Sequence, residues 1–129
     1  MIVDDDAEFA ELIEFNLARQ DCDILIAYNG LQALRIARTE LPDVIVLDVV
    51  LPDIEGFTVC EILGADASTR DIPIFVLSAL HESWTSMTKA RFVRYFQKPV
   101  DMKLLGETVL SAGEARQATI RSRLNDDPN

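Results

Sequence analysis

At 129 residues and 49% hydrophobic content, the chain has the size of one domain with one proper core and no room for a second. No apolar stretch approaches the roughly 18 residues of a membrane span, and the opening Met-Ile-Val-Asp-Asp-Asp lacks the basic start of a signal peptide, so a soluble, cytoplasmic protein is expected. The net charge of −10 argues against general nucleic-acid binding, although the charge is uneven: residues 1–66 hold fifteen acids and three bases, residues 67–129 seven acids and nine bases.

In chain order, Ile2-Val3 reads as a first short strand ending at Asp4-Asp5. Phe9, Leu12, Ile13 and Leu17 then recur at helical spacing, with Glu8, Glu11 and Glu14 between them as a solvated face, and Asp6 suits the cap of that helix. Strand 24–28 follows, closed by Asn29-Gly30, and a helix carrying Leu31, Leu34 and Ile36-Ala37 stops at Pro42. Val44 to Leu47 is the third strand and delivers Asp48. The loop 51–56 has turn chemistry and leads to a helix through Val59, Ile62 and Leu63 that ends near Gly64. Ile74 to Leu77 delivers Ser78; a helix over about 85–92 precedes strand 95–97, which ends at Lys98-Pro99; the last helix runs from Leu104 to about Arg121. The domain is expected to span residues 1–122, with 123–129 a frayed tail. Cys22 and Cys60 form no CxxC pair and read as small core-side residues, which excludes a zinc or disulfide framework.

Short β-branched strands separated by helical-period sequence predict an α/β fold of parallel strands buried on both faces, with right-handed crossovers. Parallel strands release their loops at one edge, where ligands bind in open α/β sheets. Asp4, Asp5, Asp48, Ser78 and Lys98 are therefore expected to converge. A carboxylate is an adequate nucleophile toward phosphorus when a divalent cation and a positive side chain neutralise the phosphoryl oxygens. Asp48 fits the acceptor. Asp5 and Asp48, with the Val50 backbone carbonyl and Asp4 in the outer shell, fit Mg2+, which takes hard oxygen ligands and keeps several waters. Lys98 offers a point charge to a phosphate oxygen and Ser78 a hydroxyl donor. Taken singly, each has an ordinary use: Asp48 or Ser78 as a turn or cap residue, Tyr95 as a packed aromatic. Order and spacing together favour the functional reading.

Over Met1 to about Gly113 the chain resembles the receiver domain of two-component response regulators, through residues 2–6, Asn29-Gly30, residues 46–56, residues 71–74, residues 77–79 and Lys98-Pro99. The resemblance implies a flavodoxin-like three-layer sandwich, (βα)5, with a parallel five-stranded sheet of order 2-1-3-4-5. It implies that Asp48 takes a phosphoryl group from a sensor histidine kinase or histidine phosphotransfer protein, that Mg2+ sits at Asp5, Asp48 and the Val50 carbonyl, and that Ser78 and Lys98 hold the phosphate. Tyr95 is then the aromatic that swings inward with Ser78. Between Ser78 and Tyr95 the chain is about two residues shorter than the usual receiver, and Arg91-Phe92 replaces the usual Gly-Ala, so the helix over 85–92 is expected to be short, displaced or mobile. The apolar Val50 and Leu80, each two residues beyond a site residue, imply slow self-dephosphorylation. Lys89, Arg91, Arg94 and Lys103 form a basic cluster that reads as a solvated face or as a docking surface for an acidic partner or dimer mate.

Two rival functions follow from the same residues. A haloacid-dehalogenase-like phosphatase needs a second acid two residues after its nucleophile, where this chain has Val50. A nucleotide-binding domain needs a Gly-rich loop after the first strand, where this chain has Asp4 to Ala7. A receiver that signals without phosphate stays open, as does the choice between a stand-alone regulator and a domain of a longer protein.

Overall fold

The computed structural model describes residues 1–18, 21–79 and 92–125. Within them the chain order is β1 (Ile2–Val3), α1 (Ala7–Ala18), β2 (Ile26–Ala27), α2 (Gly30–Glu40), β3 (Ile45–Asp48), α3 (Gly56–Ala65), β4 (Ile74–Ser78), β5 (Arg94–Gln97) and α4 (Met102–Asn125). The five strands are all parallel in the order β2-β1-β3-β4-β5. The predicted helix over 85–92, apart from Phe92, lies outside the described residues, as do Leu80, Lys89, Arg91 and the tail from 126 onward.

Period-two alternation on the central strands divides the core into two layers. Ile45, Leu47, Ile74 and Val76 pack with Ala33, Leu34 and Ala37 of α2 and Val59, Cys60 and Leu63 of α3. Val46, Phe75 and Leu77 face the other way and pack with Ala10, Ile13 and Leu17 of α1 and Leu105 and Val109 of α4. Both sheet faces are thus covered, which is why β3 and β4 are apolar at every position before their last.

Local chemistry sets the helix ends. The Phe9 amide donates to Asp6 Oδ1 at 3.2 Å, so Asp6 caps α1 as expected. Asn29 caps α2 through the Gln32 amide at 2.8 Å. At its other end Leu41 takes a left-handed conformation, φ 46°, with its amide bonded to Ala37 O, and Pro42 prevents continuation. Asp101 Oδ1 accepts from the Lys103 and Leu104 amides, which starts α4 two residues before the predicted Leu104.

Four expectations need correcting. Leu12 and Leu31 lie largely in solvent, 48% and 65% exposed. The buried stripe of α1 is Ala10, Ile13 and Leu17, one step round the helix from Leu12, and Leu31 sits beside rather than on the Ala33, Leu34 and Ala37 stripe. Cys60 is buried, and desolvation pushes its thiol up to about 12, whereas Cys22 is only half-buried. The second strand is only Ile26–Ala27, matching in length the two-residue β1 with which it pairs. The last helix runs beyond Arg121 to Asn125.

Gly56 opens α3 where the chain doubles back against the end of β3. A Cβ there would lie 2.4 Å from Val49 Cα and 2.6 Å from Asp48 O, both backbone atoms that cannot turn aside. The Gly56 amide also donates to Val49 O at 2.8 Å. Gly56→Ala should therefore cost about 2–3 kcal/mol, as overpacking does in well-packed interiors, and lower Tm by roughly 5–10 °C in a thermal melt.

Candidate functional site

Strand register brings the candidate residues to one edge. Val3 pairs with Leu47, Asp48 with Leu77, and Ser78 with Gln97, so the last residues of four strands lie side by side. Asp4 follows β1, Asp48 and Ser78 close β3 and β4, and Lys98 follows β5, its amide donating to Ser78 O at 2.7 Å. The Lys98–Pro99 peptide bond is cis.

Asp4, Asp5 and Asp48 each present a carboxylate oxygen, and these atoms lie within 4.8 Å of one another. Asp4 and Asp48 are buried and Asp5 is exposed. Lys98 Nζ stands between the two buried acids, 2.8 Å from Asp48 Oδ2 and 3.3 Å from Asp4 Oδ2. Asp48 Oδ1 accepts from the Val50 amide at 2.9 Å, so both of its oxygens are engaged and the carboxylate is fixed in orientation. Asp4 Oδ1 accepts from the Asp6 amide at 2.9 Å. The donor set is three hard oxygen ligands, open on the Asp5 side, which fits a magnesium ion that keeps part of its water shell.

Burial raises the Asp4 carboxyl above its ordinary range; the Asp6 amide opposes this, nearby Asp48 adds to it, and Lys98 offsets part of it. For Lys98, burial works to lower the ammonium, but the hydrogen bond and charge of Asp48, then Asp4, outweigh it and the value rises. Among the described residues the three carboxylates thus face one cation, Lys98.

Ser78 is fully buried at the end of β4. Tyr95 is half-buried and packs against the α2 and α3 side of the core. Val50 is 60% exposed, at the mouth of the site. Of the basic cluster, Arg94 and Lys103 are exposed, Arg94 with its guanidinium 4.7 Å from the Phe96 ring centroid; Lys89 and Arg91 fall outside the described residues.

Two site-forming residues escape a linear reading. Asp53 reaches back 23 residues to accept from the Gly30 amide at 2.8 Å and the Leu31 amide at 2.9 Å, so the loop after Asp48 caps α2. The Leu31 amide first, then that of Gly30, holds the Asp53 carboxyl below its ordinary value. A depressed carboxyl contributes stability above its unfolded value, and that contribution is lost as pH falls through the folded one. In sequence Asp53 is one more turn residue after Pro52. Phe9 places its ring over Lys98 Nζ, 4.2 Å from the centroid, yet reads in sequence only as an apolar helix position.

Asp4 has the opposite sign to Asp53. Its raised value means the folded state holds the proton more tightly than the unfolded chain, so its contribution falls as pH climbs from the ordinary carboxylate value through the raised one. In metal-free protein at pH 7, Asp4→Asn should raise Tm by a few degrees, and saturating Mg2+ should stabilise the parent more than the variant in the same melts.

The sequence model of the response regulator receiver domain matches residues 1–110. The chain is 40% identical over 80 residues to the DNA-binding dual master transcriptional regulator RpaA of Synechocystis, a match covering 62% of this chain and 33% of that protein. It is 40% identical over 80 residues to the response regulator PleD of Caulobacter vibrioides, covering 62% of this chain and 18% of that protein. These stretches span a third or less of either relative. Among solved structures, the Francisella response regulator 1452 receiver domain superposes with a TM-score of 0.75 at 25% identity, over 88% of this chain and 94% of that one. A CheY-like receiver domain protein from Methanospirillum hungatei shares the fold at a TM-score of 0.82 and 21% identity, over 92% and 94%. The order β2-β1-β3-β4-β5 is that of the flavodoxin-like sheet. With the profile match over residues 1–110 and the acidic sheet edge in the same chain, this protein belongs to the response regulator receiver domain family of two-component systems.

Proposed function

We propose that Asp48 is the phosphoacceptor of this receiver, taking a phosphoryl group from a sensor histidine kinase or histidine phosphotransfer protein. The observation that carries the reading is the Lys98 ammonium at 2.8 Å from a buried Asp48 carboxylate that stands beside Asp4 and Asp5. Asp5, Asp48 and the Val50 carbonyl would hold Mg2+, with Asp4 in the outer shell. Bound there, the ion supplies positive charge to the phosphoryl oxygens.

The chain's own groups perform the rest. An Asp48 oxygen forms the new bond to phosphorus as the donor's bond to phosphorus breaks, and the donor leaves with the electron pair. The Val50 amide keeps the carboxylate turned toward the opening of the site while Lys98 pairs with a phosphoryl oxygen. The Ser78 hydroxyl, at the end of the neighbouring strand, donates to another. Movement of Ser78 together with Tyr95 then carries the change to the β4–β5 side of the domain, where the exposed Arg94 and Lys103 offer basic groups to an acidic downstream partner or a second copy. The domain acts as a cytoplasmic switch: it has no direct contact with nucleic acid and no catalytic activity beyond slow loss of its own phosphate.

Intact mass after incubation with Mg2+ and acetyl phosphate should show one added phosphoryl group in the parent and none in Asp48→Asn. No gain in the parent would overturn the reading in favour of a module that signals without phosphate. Because Val50, at the mouth of the site, has no polar group to orient an attacking water, the phosphorylated parent should persist for hours at 25 °C by the same measurement. Val50→Glu or Val50→Asn should shorten that lifetime by roughly tenfold or more, below the roughly 10²–10⁴-fold of a fully positioned acid/base group.

A further inference from the structure

Lys98 is held on three sides. Two are the Asp48 and Asp4 carboxylates; the third is the face of Phe9, whose centroid lies 4.2 Å from Nζ. The lysine side chain is 23% exposed, so the ring occupies a flank that water would otherwise fill.

Phe9 is itself fixed by the acidic segment that precedes it. Asp4 Oδ1 accepts from the Asp6 amide, Asp6 Oδ1 accepts from the Phe9 amide, and the ring of Phe9 meets the ammonium that returns to Asp4 Oδ2. The path closes on itself through β1, α1 and the end of β5. Phe9 is half-buried and packs against the core layer that α1 and α4 share.

We propose that Phe9 is a positioning residue for Lys98, its ring face keeping the ammonium beside Asp48 so that the charge is already in place when phosphoryl oxygens arrive. A leucine or methionine would fill the same volume, but only an aromatic face attracts a cation, through its quadrupole. Two carboxylates alone leave a four-carbon stem free to pivot between them and solvent. The ring removes that freedom without adding a hydrogen bond that would have to break when Lys98 turns to phosphate. The role rests on Asp48 being the phosphoacceptor.

The test replaces Phe9 by mono-, di- and trifluorophenylalanine through site-specific incorporation, which drains the ring quadrupole at nearly constant volume and leaves the fold alone. Phe9→Leu and Phe9→Tyr complete the series. Phosphorylation by acetyl phosphate at saturating Mg2+ should slow progressively with fluorine number, reaching about tenfold in the trifluoro protein and in Phe9→Leu, with Phe9→Tyr near the parent. The ε-methylene protons of Lys98, followed by NMR, should lose their ring-current shift in Phe9→Leu and keep it in Phe9→Tyr. Equal phosphorylation rates across the fluorine series in a parent that accepts phosphate would overturn the role of Phe9. A parent that accepts no phosphate would remove the Asp48 reading and this role with it, while the ring-current shift would still report the contact.

Discussion

Three carboxylates within 4.8 Å of one another at one sheet edge are the constraint around which the rest of this molecule is arranged. Like charges at that distance, two of them buried, repel strongly unless cations stand among them. Among the described residues, one lysine, Lys98, is shared between Asp4 and Asp48. That sets one positive charge against three carboxylates among the described residues, a balance that suits a divalent ion. Parallel topology makes such a concentration attainable, since strands far apart in sequence end side by side and the two helical layers keep water from beneath the acids.

Most of this was legible in the sequence because buried parallel strands and their terminal polar residues are a local signal. Val44 to Asp48 and Ile74 to Ser78 announce themselves as apolar runs ending in a polar group, and the observed register places those groups where the reading expects them. Harder to see were interactions made across long sequence separations. Asp53 contacts amides 22 and 23 residues earlier, and nothing in a Pro-Asp turn tells a carboxylate aimed at a helix from one aimed at solvent. Phe9 fits the helical period, so its approach to Lys98 is invisible until β5 is laid beside α1. Leu12 and Leu31 failed for a related reason: an apolar side chain next to a buried stripe looks like part of it until the rotation of the helix is known.

Helix α4 shows where the family pattern and the structure of this chain part. The receiver match ends at residue 110, yet α4 continues unbroken to Asn125. Gln117 still holds Asp43 at 2.9 Å and Arg116 reaches the Asp71 carbonyl at 3.1 Å, tying the helix to the loops that enter β3 and β4 at the edge opposite the acidic site. From Gln117 onward every described residue is exposed. The helix therefore spans the sheet from near Lys98 at one end to beyond the far edge at the other, a rigid element of about 36 Å.

The carboxylate of Asp53, clasping two amides of α2 from the loop that leaves Asp48, ties a distant backbone to the acidic sheet edge. Any rearrangement of that loop must stretch or release those two bonds. The amide protons of Gly30 and Leu31 are therefore native spectroscopic probes: their chemical shifts and exchange rates read the state of the loop after Asp48 from a neighbouring helix, without a label or a mutation.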